Sequence, residues 1–348
     1  MKKFVSSIVI KWLPTRLHAA IFTIKLYLKA PWLAWFSKSS FNTSAPPVVL
    51  LSFPRSGSSW IGSIMGSGND IRYLREPVTT KYILNKTHST KKRISVFDSD
   101  SCDNWVEYQA YINNSLAATP NFSHAVIPSP KQWKSPKTLK SLLVKEVNPL
   151  VVGTYLNKQV KLIYLVRHPC SVAKSYQALN WRSKDLFKSK LNTETLAKIK
   201  ALSPNIQKAD IWQQMGYLQG WIEATVKLAL TTSNKPTQIV RYEDICLSPE
   251  SEFKALFNFA NINFSSEANE RITNSLSRGG SVSAGDFSLT RNQAELTKIK
   301  IAKEEQCHYL SLMNAYHQAI QDFNTQVPLD SLSKASYPKT YNLVEFSE

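Results

Sequence analysis

The chain has 348 residues, 43% of them hydrophobic, enough for a full α/β domain with a buried core. Its formal net charge of +18 favours anionic partners: membrane headgroups, nucleic acid or an anionic cofactor. The four cysteines stand far apart, without the CxxC or Cys/His spacing of a zinc site, and no repeat of roughly 20–50 residues marks a solenoid or propeller.

The charge is unevenly placed. The first acidic residue is Asp70, and basic residues from Lys2 to Arg55 precede it. Residues 1–45 form a basic, apolar segment. Between Arg16 and Lys25 its uncharged stretch is only Leu17–Ile24, too short for the ~18–20 apolar residues of a spanning helix. Lys25 and Lys29 share a helical face, and Trp12, Trp32 and Trp35 add aromatic anchors. The pattern predicts an amphipathic segment, residues 1–40, lying on a membrane surface. A helix pair packed on the domain and an uncleaved anchor are the alternatives.

After the NTSAPP linker (42–47) comes a domain expected to run over 46–348. VVLLSF (48–53), SLLVKEV (141–147), VKLIYLVR (160–167) and TQIVRY (237–242) are short apolar runs. Such runs suit strands of a parallel sheet buried on both faces. Helical patterns follow at 60–67, 170–180, 210–230, 251–260 and 293–322. The alternation predicts an α/β fold, a central parallel sheet flanked by helices. Residues 85–140 are polar and proline-rich, and are expected to form a loop-rich acceptor region. Trp105, Tyr108, Tyr111 and Trp133 there either line a groove or pack. Trp212, Tyr217 and Trp221 sit at helical spacings and read as core, and Cys170 and Cys246 read as buried thiols.

Two segments carry chemistry. The first is F-P-R-S-G-S-S-W (53–60). A strand feeding a helix through a Gly/Ser turn offers free amides and the positive helix end. Ser56, Ser58 and Ser59 add hydroxyls, Arg55 adds charge, and Gly57 permits close backbone approach. The result is an anion cup. No lysine follows Gly57, so the lysine that a Walker A loop uses on triphosphates is missing. The second is L-V-R-H-P-C-S-V-A-K-S-Y (165–176). It puts Arg167 at a strand end and Ser175 two helical turns beyond a His-Pro turn. Both fall where open α/β sheets bind ligands, and arginine suits bidentate phosphate binding. A surface arginine and a solvated serine remain the alternative reading.

These two segments resemble the cofactor signatures of the sulfotransferases, enzymes that use 3′-phosphoadenosine 5′-phosphosulfate (PAPS). Y-L-R-E-P (73–77), V-R-Y-E-D-I (240–245) and R-G-G with G-D-F (278–280, 285–287) add to the likeness. The resemblance spans roughly 48–325 and points to the carbohydrate-type and bacterial branch. It implies that Arg55, Ser56, Gly57, Ser58, Ser59 and Trp60 hold the 5′-phosphosulfate. It assigns Arg167 and Ser175 to the 3′-phosphate, with Arg278 and Gly280 closing over it, although Gly279 stands where a lysine is usual. It implies Glu76 as the base, Arg55 and Lys145 as catalytic companions, and a hydroxyl acceptor, a carbohydrate or other alcohol. A Glu76 carboxylate near Arg75 and the cofactor is ordinarily acidic, and partial burial works to lift its pKa toward neutrality; a helix-end salt bridge with Arg75 is the plainer reading of Glu76. Glu146 is the rival base. No metal and no nucleic acid is implied. A bacterial cytoplasmic membrane face is the expected location, ahead of a Golgi lumen. The rival functions are a P-loop kinase with an unusual loop and a non-catalytic basic binding module.

Overall fold

The computed structural model describes residues 45–79, 105–117, 140–178, 187, 191, 193–277 and 306–324. Among them, five parallel strands form one sheet: β1 (Val48–Ser52), β2 (Ile71–Arg75), β3 (Ser141–Glu146), β4 (Lys161–Val166) and β5 (Thr237–Arg241). Their order is β2-β3-β1-β4-β5. β1 lies between β3 and β4, with Leu50 level with Lys145 and Ile163. The expected α/β architecture is therefore present.

The apolar runs are fully used. Successive residues of a strand face opposite sides, and both sides here are covered. Val49, Leu51, Leu162 and Tyr164 enter one core. That core is roofed by α6 (Ile211–Thr231) and α10 (Gln306–Asn324). Val48, Leu50, Ile163 and Leu165 enter the other, under α1 (Ser58–Met65) and α8 (Pro249–Ala260). A Leu50→Ala cavity at the sheet centre would cost about 2–5 kcal/mol.

The remaining helices are α2 (Trp105–Leu116), α3 (Val152–Leu156), α4 (Pro169–Ala178), α5 (Thr193–Leu202), α7 (Tyr242–Leu247) and α9 (Ser266–Ser277). α2 falls inside the region expected to be loop-rich. It buries Tyr108 and Ile112, and the Tyr108 hydroxyl accepts a hydrogen bond from Asn148 Nδ2 at 3.0 Å. Tyr108 is thus a packing residue. Trp133 and residues 293–305 of the long C-terminal helical pattern lie outside the described residues.

α6 starts on a capping box: Asp210 Oδ1 accepts from the Trp212 and Gln213 amides at 2.8 and 2.9 Å, and Gln213 Oε1 accepts from the Asp210 amide. Trp212, Tyr217 and Trp221 are buried on it, as their spacing suggested. Gly216 and Gly220 let α6 press against α10. A Cβ at either would meet a backbone carbonyl, Leu312 O at 2.0 Å or Tyr316 O at 2.4 Å. Cys170 and Cys246 are buried and neither is in a disulfide.

The topology fixes where a ligand would sit. From β1 the chain crosses toward β2 on one side, and from β4 it passes to β5 on the other. The C-terminal ends of β1 and β4 therefore flank a switch point, the usual crevice of open α/β sheets.

Candidate active site

The loop after β1 turns sharply. Arg55 has φ +72° and Gly57 +92°, and a left-handed conformation at a non-glycine residue is uncommon and costly. Ser56 N closes the turn on Phe53 O at 3.2 Å. Gly57 caps α1, whose first intrahelical bond is Trp60 N to Gly57 O at 3.0 Å. The amides of Gly57, Ser58 and Ser59 precede that bond and belong to the orphan donors of a helix start. Ser52 Oγ donates to Ser58 Oγ at 2.7 Å, leaving the Ser58 hydrogen to donate onward. Ser56 Oγ and Trp60 Nε1 are buried without a hydrogen-bond partner.

Gly57 also has a structural duty that the sequence did not announce. A Cβ there would lie 2.3 Å from Tyr242 Cε2. The Tyr242 ring fills the space beneath the loop and carries the Arg167 guanidinium 4.4 Å above its centroid, a cation–π distance. Trp60 packs edge-on against the same ring at 5.8 Å. Tyr242 thus supports the site through contact, while Glu243 accepts the His168 amide at 3.0 Å and fixes the turn after β4.

Two segments more than a hundred residues apart meet here. Arg55 Nε donates to Ser175 Oγ at 3.0 Å. Arg167 Nη1 donates to the Arg55 carbonyl at 2.9 Å. Arg167 is 6% exposed, so its cation is held at the crevice with little solvent around it. The Arg167 carbonyl accepts from Gln219 Nε2 at 2.9 Å; the same nitrogen donates to Glu223 Oε1, and Tyr316 OH donates to Glu223 Oε2. A buried chain of hydrogen bonds therefore ties α6 and α10 to the end of β4. Burial pushes the Glu223 carboxyl up to about 7, against the hydrogen bonds from Tyr316 and Gln219.

The ends of β2 and β3 form the adjoining wall. Arg75 is level with Lys145 across the sheet. Glu76, just past β2, has φ +52°, and its amide donates to Lys145 O at 2.6 Å. Its carboxylate pairs with Lys145 Nζ. Lys145 is 2% exposed in its side chain and Glu76 27%, so the pair opens toward the crevice through the carboxylate.

The expected rise of the Glu76 pKa does not occur. Burial alone would lift it, but Lys145, by charge and hydrogen bond, with Arg75 and Arg55, outweighs burial and holds the carboxyl below its ordinary value. Burial in turn lowers the Lys145 ammonium despite Glu76. Glu76 is therefore ionised at neutral pH, in the form that accepts a proton. Its ion-pair partner is Lys145, with the neighbouring Arg75 acting through its charge.

Glu146 faces away from this pair. Its Oε1 accepts the Val78 amide at 2.6 Å; Oε2 accepts the Thr79 hydroxyl at 2.6 Å and the Thr79 amide at 3.3 Å. It caps the helical turn that begins at Pro77. Burial raises it to about 7.

The structure thus brings Arg55, Ser56, Gly57, Ser58, Ser59, Trp60, Arg167 and Ser175 around one crevice, with Glu76 and Lys145 at the neighbouring strand ends. Arg278 and Gly280 lie outside the described residues. Gln219 and Glu223 are the supporting residues that motif spacing missed; Tyr242 stands in the V-R-Y-E-D-I motif and orders the sheet edge rather than reacting. Among the described residues no cluster of His, Cys, Asp or Glu could hold a metal ion. No helix of the described residues is long and apolar enough to cross a membrane, and residues 1–40 are outside them.

A family model for the sulfotransferase domain matches residues 45–279. The chain belongs to the sulfotransferase family. A search of curated proteins returned no match. Among solved structures, the sulfotransferase domain of the Synechococcus PCC 7002 olefin synthase is similar: 14% identity, 81% of this chain and 97% of that one covered, TM-score 0.39. A sulfotransferase from Alicyclobacillus acidocaldarius gives 13% identity, coverages of 80% and 97%, and TM-score 0.39. A mouse sulfotransferase complexed with PAP gives 13% identity, coverages of 86% and 85%, and TM-score 0.31. Family membership rests on the matched domain, not on these distant likenesses.

Proposed function

We propose that this sulfotransferase moves a sulfuryl group from PAPS to a hydroxyl of a carbohydrate or other alcohol and releases adenosine 3′,5′-bisphosphate. The observation that carries the reading is the meeting of Arg55, Ser175 and Arg167 at the switch point: two cations and a hydroxyl, from two distant segments, locked to one another beside a helix N-terminus.

The residues present fit such a donor. Ser56 Oγ and Trp60 Nε1 are buried polar atoms lacking partners, an expensive arrangement unless a ligand answers them. The amides of Gly57, Ser58 and Ser59 with the Ser58 hydroxyl would hold the 5′-phosphosulfate. Arg167 and Ser175 would hold the 3′-phosphate, and Arg278 and Gly280 would close on it. PAPS, when bound, supplies the sulfuryl group and a phosphate leaving group. Arg55 offsets negative charge at the crevice, where a pre-placed cation is worth more than in water. Glu76, ionised and held by Lys145, accepts the proton of the acceptor hydroxyl. A kinase reading lacks the lysine after Gly57, and a purely binding module leaves the Glu76–Lys145 pair unexplained.

The basic segment 1–40 is proposed to rest on the cytoplasmic face of a bacterial membrane, through its lysines and tryptophans.

Transfer from sulfur-labelled PAPS to a panel of saccharides and alcohols tests the assignment. Arg167→Ala should raise the Kd for adenosine 3′,5′-bisphosphate roughly 10–100-fold, the worth of a charge-assisted contact. Glu76→Gln should leave that Kd near wild type and suppress transfer. Full transfer by Glu76→Gln would refute its role.

A further inference from the structure

The dipeptide Lys145–Glu146 grips the segment after β2 from two sides. Lys145 takes the Glu76 amide on its carbonyl and the Glu76 carboxylate on its ammonium. Glu146, next in the strand and pointing to the opposite face, takes the Val78 and Thr79 amides and the Thr79 hydroxyl. Three residues of the stretch Glu76–Thr79, namely Glu76, Val78 and Thr79, are thereby fixed by two. The grip matters because Glu76 sits at φ +52°, a conformation a glutamate does not hold unaided.

We propose that Glu146 is a positioning residue for the reaction: by capping the turn at Pro77–Thr79 it holds Glu76 in its left-handed conformation, with the carboxylate presented to the crevice. The proposal rests on the reading of Glu76 as the base. It replaces the alternative in which Glu146 is itself the base, because both Glu146 oxygens are committed to donors of the turn and the residue is 2% exposed.

Ionised Glu146 accepts all three donors. Protonated, it must turn one oxygen into a donor. The Thr79 hydroxyl can accept from that oxygen, but the Thr79 amide beside it cannot, so the cap weakens. The groups facing Glu146 set when this happens. Burial pushes its carboxyl up to about 7, Thr79 and the Val78 amide oppose that, and Glu76 adds to it. Lys145, Tyr73 and Tyr155 also feel its charge. Glu76 titrates lower, held down by Lys145 once burial is offset. An acid limb of transfer near neutrality is therefore the signature of Glu146, not of Glu76.

The test compares the full-length protein with Glu146→Gln, Thr79→Val and Glu76→Gln. Hydrogen exchange is read on the peptide spanning Glu76–Thr79. Transfer is read from labelled PAPS to the best acceptor of a saccharide and alcohol panel, and donor affinity by titration with adenosine 3′,5′-bisphosphate. In Glu146→Gln, the amides of Val78 and Thr79 should exchange about tenfold faster or more, as loss of a buried hydrogen bond implies. Its kcat should fall about tenfold or more, with bisphosphate Kd within about twofold, and its acid limb near pH 7 should vanish. Thr79→Val, which deletes one donor and keeps the shape, should shift exchange and kcat the same way by a smaller factor. Wild-type kcat in Glu146→Gln, or an unchanged acid limb, overturns the proposal even if Glu76→Gln is inactive. Full activity in Glu76→Gln removes the base reading and the proposal with it.

Discussion

Glu223 gives a prediction whose size follows from the structure. Its carboxyl is buried between α6 and α10, accepting from Gln219 and Tyr316, and burial pushes it from 4.5 to about 7. Between those two values the unfolded chain has lost its proton and the folded protein keeps it. Stability attributable to Glu223 is therefore greatest below the lower value and declines as pH rises through the window. Above the upper value the full cost of the buried charge is present. A difference of this size is worth roughly 3 kcal/mol, of which roughly 2–3 kcal/mol develops between pH 5 and pH 8. Glu223→Gln has the same shape and does not ionise. Its oxygen can keep the Gln219 bond, and its amide can donate to the Tyr316 hydroxyl, which accepts as well as donates. Urea unfolding at several pH values, wild type against Glu223→Gln, isolates the effect, since Glu146 titrates in both proteins and cancels. The wild type should lose about that much stability relative to the variant on going from pH 5 to pH 8. Parallel stability curves would show that Glu223 is not held protonated, and would refute the assignment.

Other outcomes follow from single contacts. Gly57→Ala places a methyl 2.3 Å from the Tyr242 ring at φ +92°. The left-handed conformation alone costs about 1–2 kcal/mol, and displacing Tyr242 disturbs Arg167. Bisphosphate affinity by calorimetry should fall severely, more than thermal stability does. Gly216→Ala drives a methyl into Leu312 O and should cost about 1–3 kcal/mol or more in denaturant unfolding, with little change in bisphosphate Kd for the folded fraction. Lys25→Glu with Lys29→Glu in the full chain should weaken co-sedimentation with vesicles rich in anionic lipid, at about 1 kcal/mol per lysine removed from the surface. Unaltered sedimentation would set aside the membrane reading of residues 1–40.

The sequence was most readable where local chemistry and fold agree. VVLLS, SLLVKE and KLIYLV are apolar because both faces of a parallel sheet are covered, and each is a strand. β2 escaped notice as a strand because IRYLR carries two arginines, yet Arg72 is wholly buried at the sheet margin. α2 was hidden in a polar stretch whose buried residues are few. At the site, Arg55, Arg167 and Ser175 could be placed from strand–turn–helix order alone, since strand ends in a parallel sheet converge on one edge. The pairing of Glu76 with Lys145 could not, because it depends on β2 lying beside β3 in a particular register. For the same reason the Glu76 pKa was expected to move the wrong way: burial was foreseeable, the facing ammonium was not. Gly57 shows a third limit, a residue read for its approach to a ligand that also abuts a tyrosine far along the chain.

The donor assignment is tested most directly by calorimetric titration of the full-length protein with adenosine 3′,5′-bisphosphate, set against ATP. Saturable one-site binding of the bisphosphate, weakened roughly 10–100-fold by Arg167→Ala and not matched by ATP, is the predicted result. A folded protein that fails to bind the bisphosphate, or that binds ATP as well, would contradict it.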